Sequence, residues 1–245
     1  MIRDLRNIVI LTGAGVSAES GVATFRGPDG LWEGHRVEDV ATPEAFRRDP
    51  ALVHAFYDAR RAKLGTVEPN LAHKALARLD SEWPGELLLI TQNVDDLHRQ
   101  AGSKALLEIH GNYALLRCLG CHARFEPEAI PVDEDALPPL CPQCGGVIKG
   151  DTVQFGEPIP ADVLRECYAA VERCDCMLVV GTTATVYPAA EFPFEVLRRR
   201  GHVIEVNPYE SELTPAATLS LAGPGGAVLP RLLEHVKRRS AGDRR

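Results

Sequence analysis

The chain has 245 residues, 45% hydrophobic and 25% charged, with a formal net charge of −7. This suits one large globular domain, with or without a small insert, and argues against a general nucleic-acid binder. No segment approaches the ~20-residue apolar run that crosses a bilayer, and no long apolar core precedes a cleavage site near the N-terminus.

Asn7-Ile8-Val9-Ile10-Leu11-Thr12 is apolar on both faces and stops at Gly13, the pattern of a central parallel strand. Residues 37–64 read as helices between Pro and Gly breaks, residues 70–79 as a helix and residues 87–91 as a second strand. Residues 113–149 hold paired cysteines and five prolines (Pro127, Pro131, Pro138, Pro139, Pro142) and break the rhythm. Helix 161–174, strand 177–182, helix 189–200 and strand 203–207 follow. The basic cluster Lys237-Arg238-Arg239, with Arg244-Arg245, reads as a solvated, frayed tail. Alternating strands and helices imply a doubly wound α/β sheet, and the two irregular stretches read as inserts carried on it.

Gly13-Ala14-Gly15-Val16-Ser17-Ala18 follows the first strand and matches G-x-G-x-x-G/A. The first glycine makes the turn, and the second lets backbone N–H groups close on a pyrophosphate. Ala18 is the small residue expected where helix meets strand. Glycine-rich turns also occur for steric reasons alone, so the motif by itself is weak. A nicotinamide dehydrogenase would carry a second strand ending in an acid about twenty residues later. Asp29-Gly30-Leu31-Trp32-Glu33 does not read as one, which disfavours that enzyme.

Four of the seven cysteines form two C-x-x-C pairs, Cys118/Cys121 and Cys141/Cys144. Such pairs in a chain without a secretion signal read as a metal site in a reducing compartment, expected to be the cytoplasm. Four thiolates close the tetrahedron of Zn2+, so the metal is expected to be structural, one ion per chain, stapling a lobe too poor in apolar residues to fold alone. The Gly145-Gly146 pair permits the turn, and His122 reads as an exposed bystander.

The second strand empties into Gln92-Asn93-Val94-Asp95, and His110-Gly111 follows later, at positions where α/β sheets gather ligands. A histidine there is a candidate general base. Taken together these motifs resemble the sirtuin family, in family order, from about residue 7 to residue 232. Gly13-Ala14-Gly15-Val16-Ser17-Ala18-Glu19-Ser20-Gly21 with Thr24-Phe25-Arg26-Gly27 looks like its cofactor loop. Gln92-Asn93-Val94-Asp95 looks like its nicotinamide-side motif, and His110 like its catalytic histidine. Gly181-Thr182-Thr183 and Asn207 look like ribose and adenine contacts, with Gly225 as a further cofactor position, and the cysteine pairs look like its zinc ligands. Phe155-Gly156-Glu157 is similar to the strand that pairs with substrate. Departures are Ala23 for a usual proline, Asn112 for a serine, Gln154 for an aromatic, Lys149-Gly150 for Arg-Pro and Thr183 for a serine.

The resemblance implies an NAD-dependent protein-lysine deacylase that consumes NAD and releases nicotinamide and O-acyl-ADP-ribose. His110 would act as base on the ribose hydroxyls. Asn93 and Asp95 would hold the carboxamide and a water, and Gln92 a ribose hydroxyl. Phe25 and Arg26 would cover the cleavage site. Within this frame Tyr57-x-x-Arg60 resembles the class that removes succinyl, malonyl or glutaryl groups, and Ala41 looks like the small residue that leaves room for them. Tyr57 and Arg60, three apart on a helix, are expected to converge on a carboxylate. The expected architecture is a Rossmann-like NAD-binding domain (residues 1–36, 65–112 and 150–245), with a helical insert (37–64) and a zinc-binding module (113–149) forming a small lobe. Expected partners are NAD and acyl-lysine proteins, with no membrane and no specific nucleic acid. A mono-ADP-ribosyltransferase using the same NAD cleavage, and a non-enzymatic NAD or ADP-ribose sensor, are the alternatives.

Overall fold

The computed structural model describes residues 5–23, 34–131 and 137–242. The expected cofactor contacts Thr24, Phe25 and Arg26 lie outside the described residues. Strand β1 (Asn7–Thr12) occupies the middle of a six-stranded parallel sheet with β2 (Glu86–Thr91), β3 (Leu106–Glu108), β7 (Cys176–Val180), β8 (His202–Asn207) and β9 (Leu219–Ala222), in the order β3-β2-β1-β7-β8-β9. The order reverses at β1, so a crevice opens beyond the C-terminal ends of β1 and β7, where such sheets bind ligands.

Side-chain alternation along the strands builds both faces. Val9, Leu11, Ile90, Met177 and Val179 enter one core with Cys167 and Val171 of α6 (Ala161–Arg173) and Phe192 and Val196 of α7 (Phe192–Arg198). Ile10, Leu89, Leu178 and Val180 enter the other, with Ala72 and Leu76 of α4 (Leu71–Glu82) and Leu229 of α8 (Gly225–Gly242). With neighbours on both sides and helices above and below, these strands need apolar residues at every position.

The first insert forms α1 (Val37–Val40), α2 (Pro43–Arg48) and α3 (Pro50–Leu64). Thr42 and Asp49 cap α2 and α3, accepting from Ala45 N and Leu52 N, and Pro43 and Pro50 sit where a missing N–H costs nothing. The second insert holds an antiparallel sheet of β4 (Gly111–Cys118), β5 (Arg124–Phe125) and β6 (Ile148–Thr152), in the order β5-β4-β6. A short helix, α5 (Leu97–Gln100), follows β2.

Several elements differ from expectation. The expected helix 189–200 begins as a 3-10 turn, Ala189–Glu191, and is α-helical only over Phe192–Arg198, with Pro193 in its first turn. Helix α8 runs to Gly242, so Lys237-Arg238-Arg239, expected to fray, hold helical backbone, while Arg244 and Arg245 lie outside the described residues. Among the described residues no helix is long and apolar enough to cross a membrane.

Candidate active site

The glycine loop sets the crevice. Gly13 N donates to Val180 O at 3.1 Å and Gly15 N to Gly181 O at 2.8 Å, tying the end of β1 to the end of β7. A Cβ on Gly15 would fall 2.8 Å from Gly181 Cα, and Gly181 itself has φ +62. The backbones touch, so both positions need glycine. The loop continues as a 3-10 helix, Ala14–Ser20, instead of opening an α-helix. Ala18 is exposed, a correction to the packing task expected of it; Val16 and Ser17 are the buried residues of that turn. Glu19 turns to the start of α8, where its carboxylate accepts from Gly226 N at 2.7 Å. Gly225 is buried beside Ala72 and Val180, a packing position between α4, α8 and the sheet.

Gln92 and Asn93 leave the end of β2 toward this crevice. Gln92 Nε2 reaches Thr182 Oγ1 at 3.2 Å, and Thr182 O accepts from Asn207 Nδ2 at 2.9 Å, which joins the ends of β2, β7 and β8. Thr183 is exposed, its hydroxyl 2.8 Å from that of Thr185. Asn93 Nδ2 donates to Ser17 Oγ at 3.0 Å, and Ser17 donates to Asp95 Oδ2 at 2.6 Å. Asp95 also accepts from Leu97 N, at the start of α5, at 3.1 Å. Burial raises the Asp95 carboxyl above its ordinary range, opposed by the hydrogen bonds from Ser17 and Leu97. Ser17 lies 3.3 Å from His73 Nε2, whose ring packs edge-on against His98. Burial lowers His73 to about 4 and His98 to about 3, so both are neutral at pH 7. Ser17 and His73 were not singled out from the sequence. The signal for His73 is the Asn70-x-x-His73 capping box at the start of α4.

His110 is half-buried between β3 and β4, and its Nδ1 lies 3.0 Å from the Gln92 carbonyl. A carbonyl only accepts, so Nδ1 carries the proton and Nε2 is left as a lone-pair acceptor. Burial lowers the His110 pKa, and the Gln92 carbonyl partly offsets the shift. At neutral pH this is an uncharged imidazole fixed in the tautomer of a general base. Asn112, next to it, bonds Asp96 and Glu108 and so anchors the turn from β3 to β4.

His110 and Gln92 also line a cavity of about 450 Å³, with Ala41, Tyr57, Tyr113 and Phe155 among its walls. Of the predicted acyl-pocket residues, Ala41 and Tyr57 lie in the wall and are buried. Arg60 does not line this cavity. Its Nε donates to Tyr113 Oη at 2.9 Å and its guanidinium stacks 5.0 Å from the Tyr113 ring centre, one aromatic ring behind the wall. The two expected partners therefore part here: Tyr57 reaches the cavity wall, whereas the Arg60 guanidinium lies over the Tyr113 ring.

Phe155-Gly156-Glu157 is a turn, with Gly156 at φ +84 and Phe155 N bonded to Ala41 O at 2.9 Å. Phe155 presents its ring at the rim, but Glu157 faces inward. Its carboxylate takes Arg117 at 2.9 Å, Lys149 at 2.9 Å and Gln154 N at 3.0 Å. The side chain of Glu157 thus holds its own loop to the small sheet.

The four paired cysteines converge. Their sulfurs all lie within 4.8 Å of one another, with Cys118–Cys144 at 3.5 Å and Cys121–Cys141 at 3.8 Å. Bonds of ~2.3 Å to a tetrahedral zinc ion place thiolate sulfurs about 3.8 Å apart, so the set fits. A Cβ on Gly146 would press to 3.0 Å on Cys118 Sγ, and Gly145 has φ +72. His122 is exposed and outside the cluster. The core beneath is small: Leu116, Ile130 and Ile148 with two of the cysteines. Cys118 and His110 lie at opposite ends of β4, on the order of 20 Å apart along the strand, so the metal stands away from the cavity.

Residues 13–188 match the model of the Sir2 family. The chain is 50% identical over 238 residues to a protein named NAD-dependent protein deacylase from Thermococcus kodakarensis, covering 95% of this chain and 91% of that one. It is 47% identical to NAD-dependent protein deacylase 1 of Archaeoglobus fulgidus, covering 97% and 96%. Among solved structures, the crystal structure of a Sir2 homologue with NAD superposes with a TM-score of 0.87 at 45% identity, over 96% of this chain and 91% of that one. A Sir2 complex with a p53 peptide and NAD+ gives 0.82 at 33% identity, over 96% and 95%.

Proposed function

The chain belongs to the Sir2 family, and from that premise we propose that it is an NAD-dependent protein-lysine deacylase with His110 as its general base. The observation that carries the reading is His110 itself. It is neutral, held by the Gln92 carbonyl with Nε2 free to accept, and it stands where the dinucleotide crevice meets the apolar cavity. NAD enters as a consumed co-substrate. Gly13, Ala14, Gly15 and Gly181 offer backbone at the crevice floor, and Thr182, Thr183 and Asn207 line its far side. Gln92, Asn93 and Asp95 stand at the near side, toward the nicotinamide. The acyl-lysine side chain enters past Phe155, and its peptide lies along residues 153–156 by backbone pairing, which specifies flanking sequence weakly. Residues 1–36, 65–112 and 150–245 form the NAD-binding part in this reading, and residues 37–64 and 113–149 the small lobe, stapled by zinc on Cys118, Cys121, Cys141 and Cys144.

The finer proposal is that succinyl and malonyl groups are removed as well as acetyl. Small Ala41 leaves depth in the cavity, Tyr57 offers a phenol on its wall, and Arg60 puts a positive charge behind Tyr113. The test incubates the zinc-loaded protein with matched acetyl- and succinyl-lysine peptides, with and without NAD, and weighs the products. NAD-dependent deacylation with free O-acyl-ADP-ribose supports the enzyme, whereas ADP-ribose attached to protein would replace it with a transferase. Arg60→Ala should lower the succinyl-to-acetyl ratio about threefold, through loss of a positive charge that acts across the Tyr113 ring. An unchanged ratio removes the acidic-acyl proposal alone.

A further inference from the structure

Two buried polar side chains on the wall of the cavity take part in none of the contacts described so far. Thr152 and Gln154 are each 4% exposed, and both line the cavity beside Tyr57. Thr152 closes β6 and Gln154 lies two residues beyond, so they share one side of the extended chain with Gly150. That side faces α3: a Cβ on Gly150 would meet Tyr57 Cγ at 3.7 Å. Thr152 Oγ1 and Gln154 Nε2 reach no partner at full hydrogen-bond geometry among the described residues, although both stand near enough to the Tyr57 phenol to act on it as weak hydrogen-bonding neighbours. A buried donor left in this state costs stability unless something else satisfies it. Both groups stand against the Tyr57 phenol, where they counter the rise that burial imposes on it. The result is three neutral hydrogen-bonding groups gathered on an otherwise apolar wall.

We propose that Tyr57, Thr152 and Gln154 form a neutral end wall that selects acyl groups carrying an acceptor atom at the tip, amide or carboxylate, over apolar chains of the same shape. The proposal rests on the deacylase reading of the site. A carbonyl oxygen at the tip would accept from the hydroxyls and from the Gln154 amide. An apolar tip would leave those donors buried and unmet, the situation in which polar sites discriminate most strongly. Recognition by Arg60 would favour a carboxylate only, because its contribution is charge. An amide tip therefore isolates the wall from the guanidinium.

The experiment compares kcat/KM for one peptide carrying lysine acylated with 4-amino-4-oxobutanoyl, with its same-shape apolar counterpart 4-methylpentanoyl, or with acetyl. The full chain is used with NAD, as wild type, Thr152→Val, Gln154→Met and the double variant. Each substitution keeps size and removes hydrogen bonding. The wild type should prefer the amide tip over the apolar one by tenfold or more. Each single variant should lower that preference at least threefold, and the double should bring it near one. A wild-type preference near one overturns the proposal. So does a preference that survives while the variants slow every peptide alike, the mark of a merely structural role. Failure of the wild type to remove even acetyl with NAD would instead sink the deacylase reading, and the wall with it.

Discussion

At His110 two effects pull in opposite senses. Burial disfavours the imidazolium, while the Gln92 carbonyl favours the protonated ring, and burial is the larger. The base is active when neutral, and a lowered pKa keeps it neutral to lower pH. The acid limb of kcat should therefore lie below the ordinary imidazole value of about 6.5. Deacylation rates between pH 5 and 8 would show it, and a midpoint above that value would contradict the assignment. His110→Ala should cost about 10²–10⁴ in kcat, the usual worth of a general base. That a histidine stands at this point was legible from the His110-Gly111 pair at an element boundary. Its tautomer was not, because the Gln92 carbonyl comes from another strand's end. Arg60 shows the reverse case: its spacing from Tyr57 is local and readable, but Tyr113, which captures it, arrives from β4.

At the scale of elements, the loop after β6 depends on ion pairs that cross the small sheet. Lys149 of β6 and Arg117 of β4 both hold Glu157, and Asp151 pairs with Arg117 and Arg124. Removing one partner of such a buried set leaves the others uncompensated, at about 3 kcal/mol. Glu157→Gln should lower stability by roughly that amount and raise KM for the peptide more than it lowers kcat. Urea denaturation and steady-state kinetics would show both, and an unchanged KM would mean that the loop keeps its place without these pairs. Glu157 reads from sequence as a substrate contact because Phe155-Gly156-Glu157 resembles the family's substrate-pairing strand. Only the fold of β4 against β6 turns its carboxylate inward. The four central strands of the large sheet were legible because both their faces are apolar. Strands β3 and β9 were not, being short edge strands whose pairing depends on neighbours distant in sequence.

For the whole molecule, the hydrophobic clusters among the described residues differ in size. The large sheet packs on both faces, while the cysteine lobe holds few buried apolar residues. Chelation of zinc should therefore cost the lobe its fold and leave the large sheet standing. Limited proteolysis should then cut within residues 113–149 while most strand signal in circular dichroism persists; global unfolding in one step would show that the lobe supports the whole. The sequence by itself determined the doubly wound sheet, the metal set, the glycine loop and the histidine, because each rests on residues adjacent in the chain or on a period a strand imposes. The tertiary structure decided which way Arg60 and Glu157 point, that Ser17 joins Asn93 to Asp95, and that Thr152 and Gln154 meet Tyr57. Those side chains come from separate elements, and their partners are set by packing between elements, which no local pattern carries.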